Sequence, residues 1–293
     1  MTDFATFHEK FTPEDFEAQY NLRTGRPDYD VTVIPDWMAR SDAARAEMTC
    51  NLDIRYGEGE RQLLDVYPCG DVSAPTLVYF HGGYWQRGEK ALYGFLAQPF
   101  VKAGVNVVVV GYDLCPNVTI TRISEEARES LAYVWRNAAE LGVNHDRILV
   151  MGHSAGGHIT EMMMGTKWTS FGDDLPADLV KSGVPVSPLS LLEPVRLTQG
   201  LNAGIQMDAE EAVRESPMLN HPPSTNAPQL VVVGGAETDE FHRQAQMYVD
   251  AFDNDDRSID LYVVPDVDHF DELNVLADSN SPFFQKVMGL FPA

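Results

Sequence analysis

The sequence predicts an α/β fold: a mostly parallel central sheet with helices on both faces. Three observations lead there. The apolar runs 76–80, 106–110 and 229–233 are continuous rather than alternating, as in strands covered on both faces. Between them lie stretches of helical spacing, two of which stop at Gly104 and Gly142. Strand and helix alternate in this way through most of the chain, an order that builds a parallel sheet through crossover connections.

Taken in order, residues 1–50 carry helical patterning with breaks. Thr12-Pro13-Glu14-Asp15 is a helix start, with a capping residue, a proline in the first turn and then acids. Residues 23–27 interrupt, and 36–48 form a second helix capped by Asp36. This region reads as an N-terminal helical arm, with Phe16 and Tyr20 on an adjoining surface, packed on a single domain that spans 1–293. Residues 52–56 and 63–67 flank Gly57-Glu58-Gly59-Glu60 as a hairpin. A strand at 76–80, a helix at 91–103 and a strand at 106–110 follow. Ser124-Glu125-Glu126 opens a helix to about Leu141. The strand 147–151 comes next, then a short strand at 184–186. Residues 188–228 hold prolines at 188, 194, 217, 222, 223 and 228 and one short helix at 208–214, which predicts a cap or lid insertion. The strand 229–233, a helix at 241–252, a strand at 259–264 and a last helix at 283–291 complete the chain.

Composition narrows the function. Of 293 residues, 44% are hydrophobic and 22% charged, a globular balance. The formal charge of -23 excludes nucleic acid as a partner, because phosphates would be repelled. No apolar run approaches the ~20 residues that span a bilayer. The first ten residues lack the basic-then-apolar pattern of a secretory signal, so a cytoplasmic protein is expected. Cys50, Cys69 and Cys115 are odd in number and far apart, which suggests neither a disulfide framework nor a zinc site. The expected partner is a small-molecule substrate. Self-association to a homo-oligomer is left open.

Two motifs carry chemistry. Gly152-His153-Ser154-Ala155-Gly156 lies between the strand 147–151 and a stretch of helical character, the context of a nucleophile elbow. The glycines serve a strained turn that another backbone approaches closely. Ser154 would stand at a helix N-terminus, whose free N–H groups favour a developing oxyanion. The second motif, His81-Gly82-Gly83-Tyr84-Trp85, follows the strand 76–80. Donors for an oxyanion would come from Gly83 and Tyr84, then Gly82, together with Ala155 after the serine. A serine hydroxyl needs a base. Of eight histidines, His269 alone follows the last strand, where the order serine, acid, histidine puts the base. His8 and His145 read as surface residues, His81 and His153 as loop-orienting ones. His221 falls in the cap and His242 in a helix. A carboxylate must hold the imidazole in one tautomer. Glu237, Asp239 and Glu240 compete for that place. Glu237 is nearest the strand end, while the other two suit the first turn of a helix. Tyr84, Trp85, Trp168 and Phe270 could form an aryl pocket, with His158 as pocket wall. Met162-Met163-Met164 reads as helix packing. Asp266 and Asp268 lack the His or Glu spacing of a metal site, so neither a metal nor a cofactor is expected.

These motifs, with Gln86 after the first, Glu240-Phe241-His242-Arg243-Gln244 and Asp266-Val267-Asp268-His269-Phe270, resemble the kynurenine formamidase (arylformamidase) branch of the α/β-hydrolase esterases. The likeness covers most of the chain, with weaker echoes at 15–20 and Ser216-Pro217. It implies an α/β-hydrolase fold with a small cap and a cofactor-free serine hydrolase cleaving a small aryl formamide of the N-formylkynurenine type. It also implies Glu237 as triad acid, where the family often has Asp. A carboxylesterase of other specificity is the alternative, and a non-catalytic binding protein of the same fold a remote one.

Overall fold

The computed structural model describes residues 11–292, so the reading of residues 1–10, His8 included, lies outside the described residues. Eight strands form one sheet: β1 (Asn51–Arg55), β2 (Leu63–Tyr67), β3 (Thr76–Phe80), β4 (Asn106–Val110), β5 (Ile148–His153), β6 (Val180–Val186), β7 (Gln229–Gly234) and β8 (Ile259–Val264). Their spatial order is β1-β2-β4-β3-β5-β6-β7-β8. The hairpin strands β1 and β2 are antiparallel, and β3 to β8 run parallel. From β3 the chain steps outward to β4, then returns past β3 to β5 on its other side. In such sheets ligands bind beyond the carboxyl ends of the strands, where the connections part. Here that place lies between β3 and β5, and the two glycine motifs are the loops that leave them.

Two-residue periodicity divides the core. Val78 and Phe80 of β3, Val108 and Val110 of β4, and Val231 and Val233 of β7 face one side. There they meet the helices Ile120–Arg136, Ala155–Gly165 and Asp239–Phe252, and Met162, Met163 and Met164 are buried among them. Leu77, Tyr79, Val107, Val109, Leu230 and Val232 face the other side, against the helices Ile34–Glu47, Gly94–Lys102, Asp271–Leu276 and Pro282–Met288.

Helix ends account for most differences from the sequence reading. Thr12 and Asp15 form a reciprocal capping box at Pro13–Tyr20. Asp36 is not a cap. The chain enters the helix Ile34–Glu47 from the helical turn Tyr29–Val33 without a break, leaving Asp36 in the first turn. The long helix starts at Ile120 because the Thr119 hydroxyl accepts the Arg122 N–H, which puts Ser124 and Glu126 inside it. Gly142 ends the turn after it at φ +70°, a left-handed conformation suited to glycine. Between Pro188 and Pro228 lie four short helices rather than one: Glu193–Arg196, Gln199–Ile205, Ala209–Arg214 and Pro217–Asn220. Pro194 and Pro217 sit in first turns, where their missing N–H is harmless. Among the described residues no helix is long and apolar enough to cross a membrane.

Buried ionisable groups give stability a pH dependence of two signs. Burial pushes the imidazoles of His81 and His158 down to about 4. The unfolded chain protonates such groups below about pH 6.5, so it binds more protons there and stability falls from about pH 6.5 towards 4. Glu161 acts oppositely. Fully buried, with only Ser190 Oγ among the described residues donating to it, at 2.8 Å, its carboxyl is raised well above the usual range. It stays neutral in the fold but ionises in the unfolded chain above about pH 4.3, so stability falls as pH rises. Glu161→Gln removes that dependence. Thermal unfolding should show the variant gaining on the parent from pH 5 to pH 8. A difference that stays constant with pH would contradict this account.

Candidate active site

The turn after β5 is made by crowding. A Cβ on Gly156 would lie 2.0 Å from Phe80 O and 2.8 Å from His81 O, and one on Gly152 would lie 2.2 Å from Gly156 O. These are backbone atoms of β3 and of the elbow itself, which cannot yield. Ser154 has φ +59° and ψ -118°, and its N–H donates to Val186 O of β6 at 2.8 Å. The helix Ala155–Gly165 begins at the next residue.

The loop after β3 lies directly alongside, so that a Cβ on Gly82 would meet His153 O at 2.8 Å and Ser154 Cβ at 3.1 Å. Gly83, Tyr84 and Trp85 all have positive φ, at +123°, +51° and +56°. The turn closes when the N–H groups of Gln86 and Arg87 donate to Gly83 O. His81 is fully buried and stacks on Tyr112 at 4.2 Å, and its Nδ1–H donates to Gly82 O at 2.8 Å. It orients the loop rather than reacting. The N–H groups of Gly83, Tyr84 and Ala155 donate to no acceptor among the described residues. Gly82, also expected among the donors, lies beside His153 and Ser154. Three N–H groups without an acceptor among the described residues are an arrangement that can receive an oxyanion.

The loops after β7 and β8 bring in the other two groups. The Glu237 N–H donates to Gly234 O at 3.1 Å, which folds residue 237 back over the end of β7. Ala236 N–H donates to Val267 O at 2.9 Å and ties this loop to the next. His269 Nδ1–H donates to Glu237 Oε2 at 2.7 Å. Glu237 Oε1 accepts from Gly234 N at 3.1 Å and from Ser187 Oγ. With a fixed N–H donor on each oxygen, the Glu237 side chain is placed as a carboxylate, and it is wholly buried. Asp239 is exposed, and Glu240 faces Tyr20 and Arg243, so neither meets the imidazole. Ser154 and His269 line the same cavity, but the serine hydroxyl makes no hydrogen bond among the described residues.

The cavity has a volume of about 460 Å³. Gly82, Gly83, Tyr84, Ser154, His269 and Phe270 contribute to its wall. Trp85, His158 and Trp168, expected in the pocket, do not. The positive φ at 85 turns the indole into the core, where it meets His158 edge to face at 5.1 Å. His158 Nε2–H donates to Glu215 O at 2.8 Å, away from the cavity. Trp168 packs on Phe171 and is 2% exposed. His153, His269 and Glu272 bring ligand-type atoms within 4.8 Å of one another. They do not suit a cation: His153 Nε2 must carry a hydrogen for the His269 carbonyl, 2.8 Å away, and His269 Nδ1 carries one for Glu237.

The alpha/beta hydrolase fold family matches residues 77–270, from β3 to the loop that holds His269. Kynurenine formamidase from Salmo salar is 32% identical over 93% of this chain and 93% of its own length. The chain belongs to the α/β-hydrolase family, in its kynurenine formamidase-like branch. The Danio rerio kynurenine formamidase is also 32% identical, over 82% of this chain and 81% of its own. A solved structure from Silicibacter sp., which carries a provisional thioesterase name, superposes with a TM-score of 0.78 at 30% identity, covering 95% and 98% of the two chains.

Much of this hydrolase's cavity wall comes from residues the motifs did not indicate. Tyr20, Leu22, Tyr29, Ile34 and Trp37 of the N-terminal region line it, with Tyr93 and Leu201 opposite. Tyr29 lies 4.5 Å from the Phe270 ring. The aromatic content of residues 20–37 was the available signal, but packing on a surface calls for the same residue types. Ser187 and Glu272 behind Glu237 had no sequence signal at all. The crowding at the elbow gives a test. Gly156→Ala should lower stability by about 3 kcal/mol or more, or abolish soluble expression, because the added methyl meets rigid backbone. A denaturation midpoint equal to the parent's would show that the two strands can move apart.

Proposed function

We propose that this hydrolase cleaves the formamide of a formylated arylamine that bears a free amino-acid end, of the N-formylkynurenine type, through a formyl-enzyme on Ser154. The observation that carries the reading is the cluster of unpaired N–H groups at Gly83, Tyr84 and Ala155, beside Ser154 and the His269–Glu237 pair. Ser154 Oγ attacks the formyl carbon as His269 Nε2 takes its proton, and Glu237 stabilises the imidazolium that results. The carbonyl oxygen becomes an oxyanion on the waiting N–H groups. The C–N bond then breaks, and Nε2 returns the proton to the departing aryl nitrogen. Water, deprotonated by His269, attacks the formyl ester and releases formate and free Ser154.

The relatives named kynurenine formamidase suggest the substrate, and the cavity wall suits it. Tyr29, Trp37, Tyr93 and Phe270 give that wall the aromatic character that suits a flat aryl group. Two cations line the cavity. Arg23 pairs with Asp30, whereas Arg87 has no carboxylate partner among the described residues. In a chain of charge -23, an unpaired guanidinium at the mouth is where a substrate carboxylate would be held. Glu17, which also lines the cavity and has no cationic partner there, suits an ammonium group. Residues 188–228, which supply Gly200 and Leu201, act as the cap. Three free cysteines fit a reducing, cytoplasmic setting.

Two measurements test the reading. Ser154→Ala should reduce kcat by about 10⁴-fold or more. Arg87→Ala should raise KM for N-formylkynurenine about tenfold, and far more than for a neutral nitrophenyl ester. A parent enzyme that prefers such esters a thousandfold would instead be a carboxylesterase, a reading to which the provisional thioesterase name of the Silicibacter structure lends support.

A further inference from the structure

Behind the His269–Glu237 pair lies a second carboxyl, on Glu272, which the reaction above does not use. It belongs to the helix Asp271–Leu276 and is fully buried. Glu272 Oε2 lies 3.1 Å from Ser187 Oγ, the same hydroxyl that contacts Glu237 Oε1. Glu272 Oε1 lies 2.9 Å from His153 Nε2, but that ring N–H is directed to the His269 carbonyl, and Oε1 has no hydrogen-bond partner among the described residues.

Counting hydrogens decides the state of this acid. Ser187 has one hydroxyl hydrogen, and the ionised Glu237 attracts it more strongly than any neutral acceptor would. Glu272 Oε2 then faces a lone pair on Ser187 Oγ, and a hydrogen bond at 3.1 Å requires Glu272 to supply the hydrogen. An ionised Glu272 would also leave Oε1 as a buried, unpaired anion beside a second carboxylate. We propose that Glu272 is a positioning residue held as a neutral carboxylic acid, whose O–H, relayed by the Ser187 hydroxyl, holds Glu237 as the ionised partner of His269. Its chain runs Glu272 Oε2–H to Ser187 Oγ–H to Glu237 Oε1, with His269 Nδ1–H on Glu237 Oε2. On the other side, His153 anchors the backbone carbonyl of His269. Ser187 holds its place at φ +45°, in the left-handed region, with its N–H on Val232 O of β7.

The groups facing Glu272 are Glu237 and Asp268, with Arg26 paired to Asp268, and the imidazoles of His153 and His269. The Gly234 N–H is also near, and it donates to Glu237 Oε1. Burial, and then the charge of Glu237, raise the Glu272 carboxyl well above the usual range, which agrees with the hydrogen count. Burial holds His153 well below the usual imidazole range, so it adds no cation to offset an ionised Glu272.

The inference rests on the proposed function, and the Ser154→Ala result tests that function separately. The experiment is the pH profile of kcat/KM for the parent, Glu272→Gln, Glu272→Ala and Ser187→Ala. Gln keeps a donor towards Ser187, so its acid limb should stay within about 0.3 pH unit of the parent's and its kcat within about threefold. Ala lacks the donor, and both alanine variants should lose about tenfold or more in kcat with little change in KM. If Glu272 were ionised, Glu272→Gln would remove a negative charge near His269. The acid limb would then move down by about one pH unit or more, and the proposal would fail. Infrared spectra of the parent at pH 8 provide a second measurement should the Gln variant not fold. The carboxylic-acid C=O band of Glu272 should be present and should shift in Ser187→Ala, while that of Glu161 stays put. A parent band unaffected by Ser187→Ala would overturn the proposal.

Discussion

Everything in this site depends on how closely two backbones pass. The end of β3 runs so near the elbow after β5 that neither Gly152 nor Gly156 has space for a methyl group. That approach forces the chain at Ser154 into a conformation that side chains seldom adopt. It also sets the first turn of the following helix against the loop that leaves β3. Ser154 and Ala155 follow β5 while Gly83 and Tyr84 follow β3, and a sheet whose strand order reverses between β3 and β5 makes them neighbours.

The three loops carrying these groups are then held by residues distant in sequence. Tyr84 Oη donates to Tyr20 O at 2.6 Å, which binds the donor loop to the N-terminal arm. Thr238 Oγ1 donates to Gln19 O at 2.8 Å, next to Glu237. Arg26 pairs with Asp268 at 2.6 Å and Asp271 at 2.9 Å, on either side of His269. Each exposed ion pair of this kind is worth little alone. Here the partners share one short segment, so ordering that segment serves all three loops together.

What could be read without coordinates followed from how local its cause was. Every strand except β6 was legible to within a residue or two: β3, β4, β5 and β7 as apolar runs covered on both faces, and β1 and β2 from the Gly57-Glu58-Gly59-Glu60 turn between them. β6 begins four residues earlier than expected, since Lys181, Ser182 and Gly183 break the apolar run. The two glycine motifs and His269 were legible because crowding and chain order constrain residue type directly. Glu237 was separable from Asp239 and Glu240 only by family likeness, since its partner lies 32 residues away and spacing does not encode a side-chain direction. Trp85 and His158 misled for the same reason. Each neighbours a motif residue, yet a single positive φ at 85 and a helical offset at 158 turn both side chains away from the cavity. Ser187 and Glu272 were invisible, because a buried polar pair is defined by what surrounds it rather than by any pattern along the chain.

The arm that ties the loops together also lines the cavity at Tyr20, Tyr29 and Trp37. On the proposed function, much of the guest's surroundings would come from this arm laid across the mouth, while the reacting groups are ordered by the sheet. A lineage could exchange one guest for another by rewriting some twenty residues near its beginning, while the reacting atoms stay where they are. Such a division would let close cousins share one reaction and differ in diet.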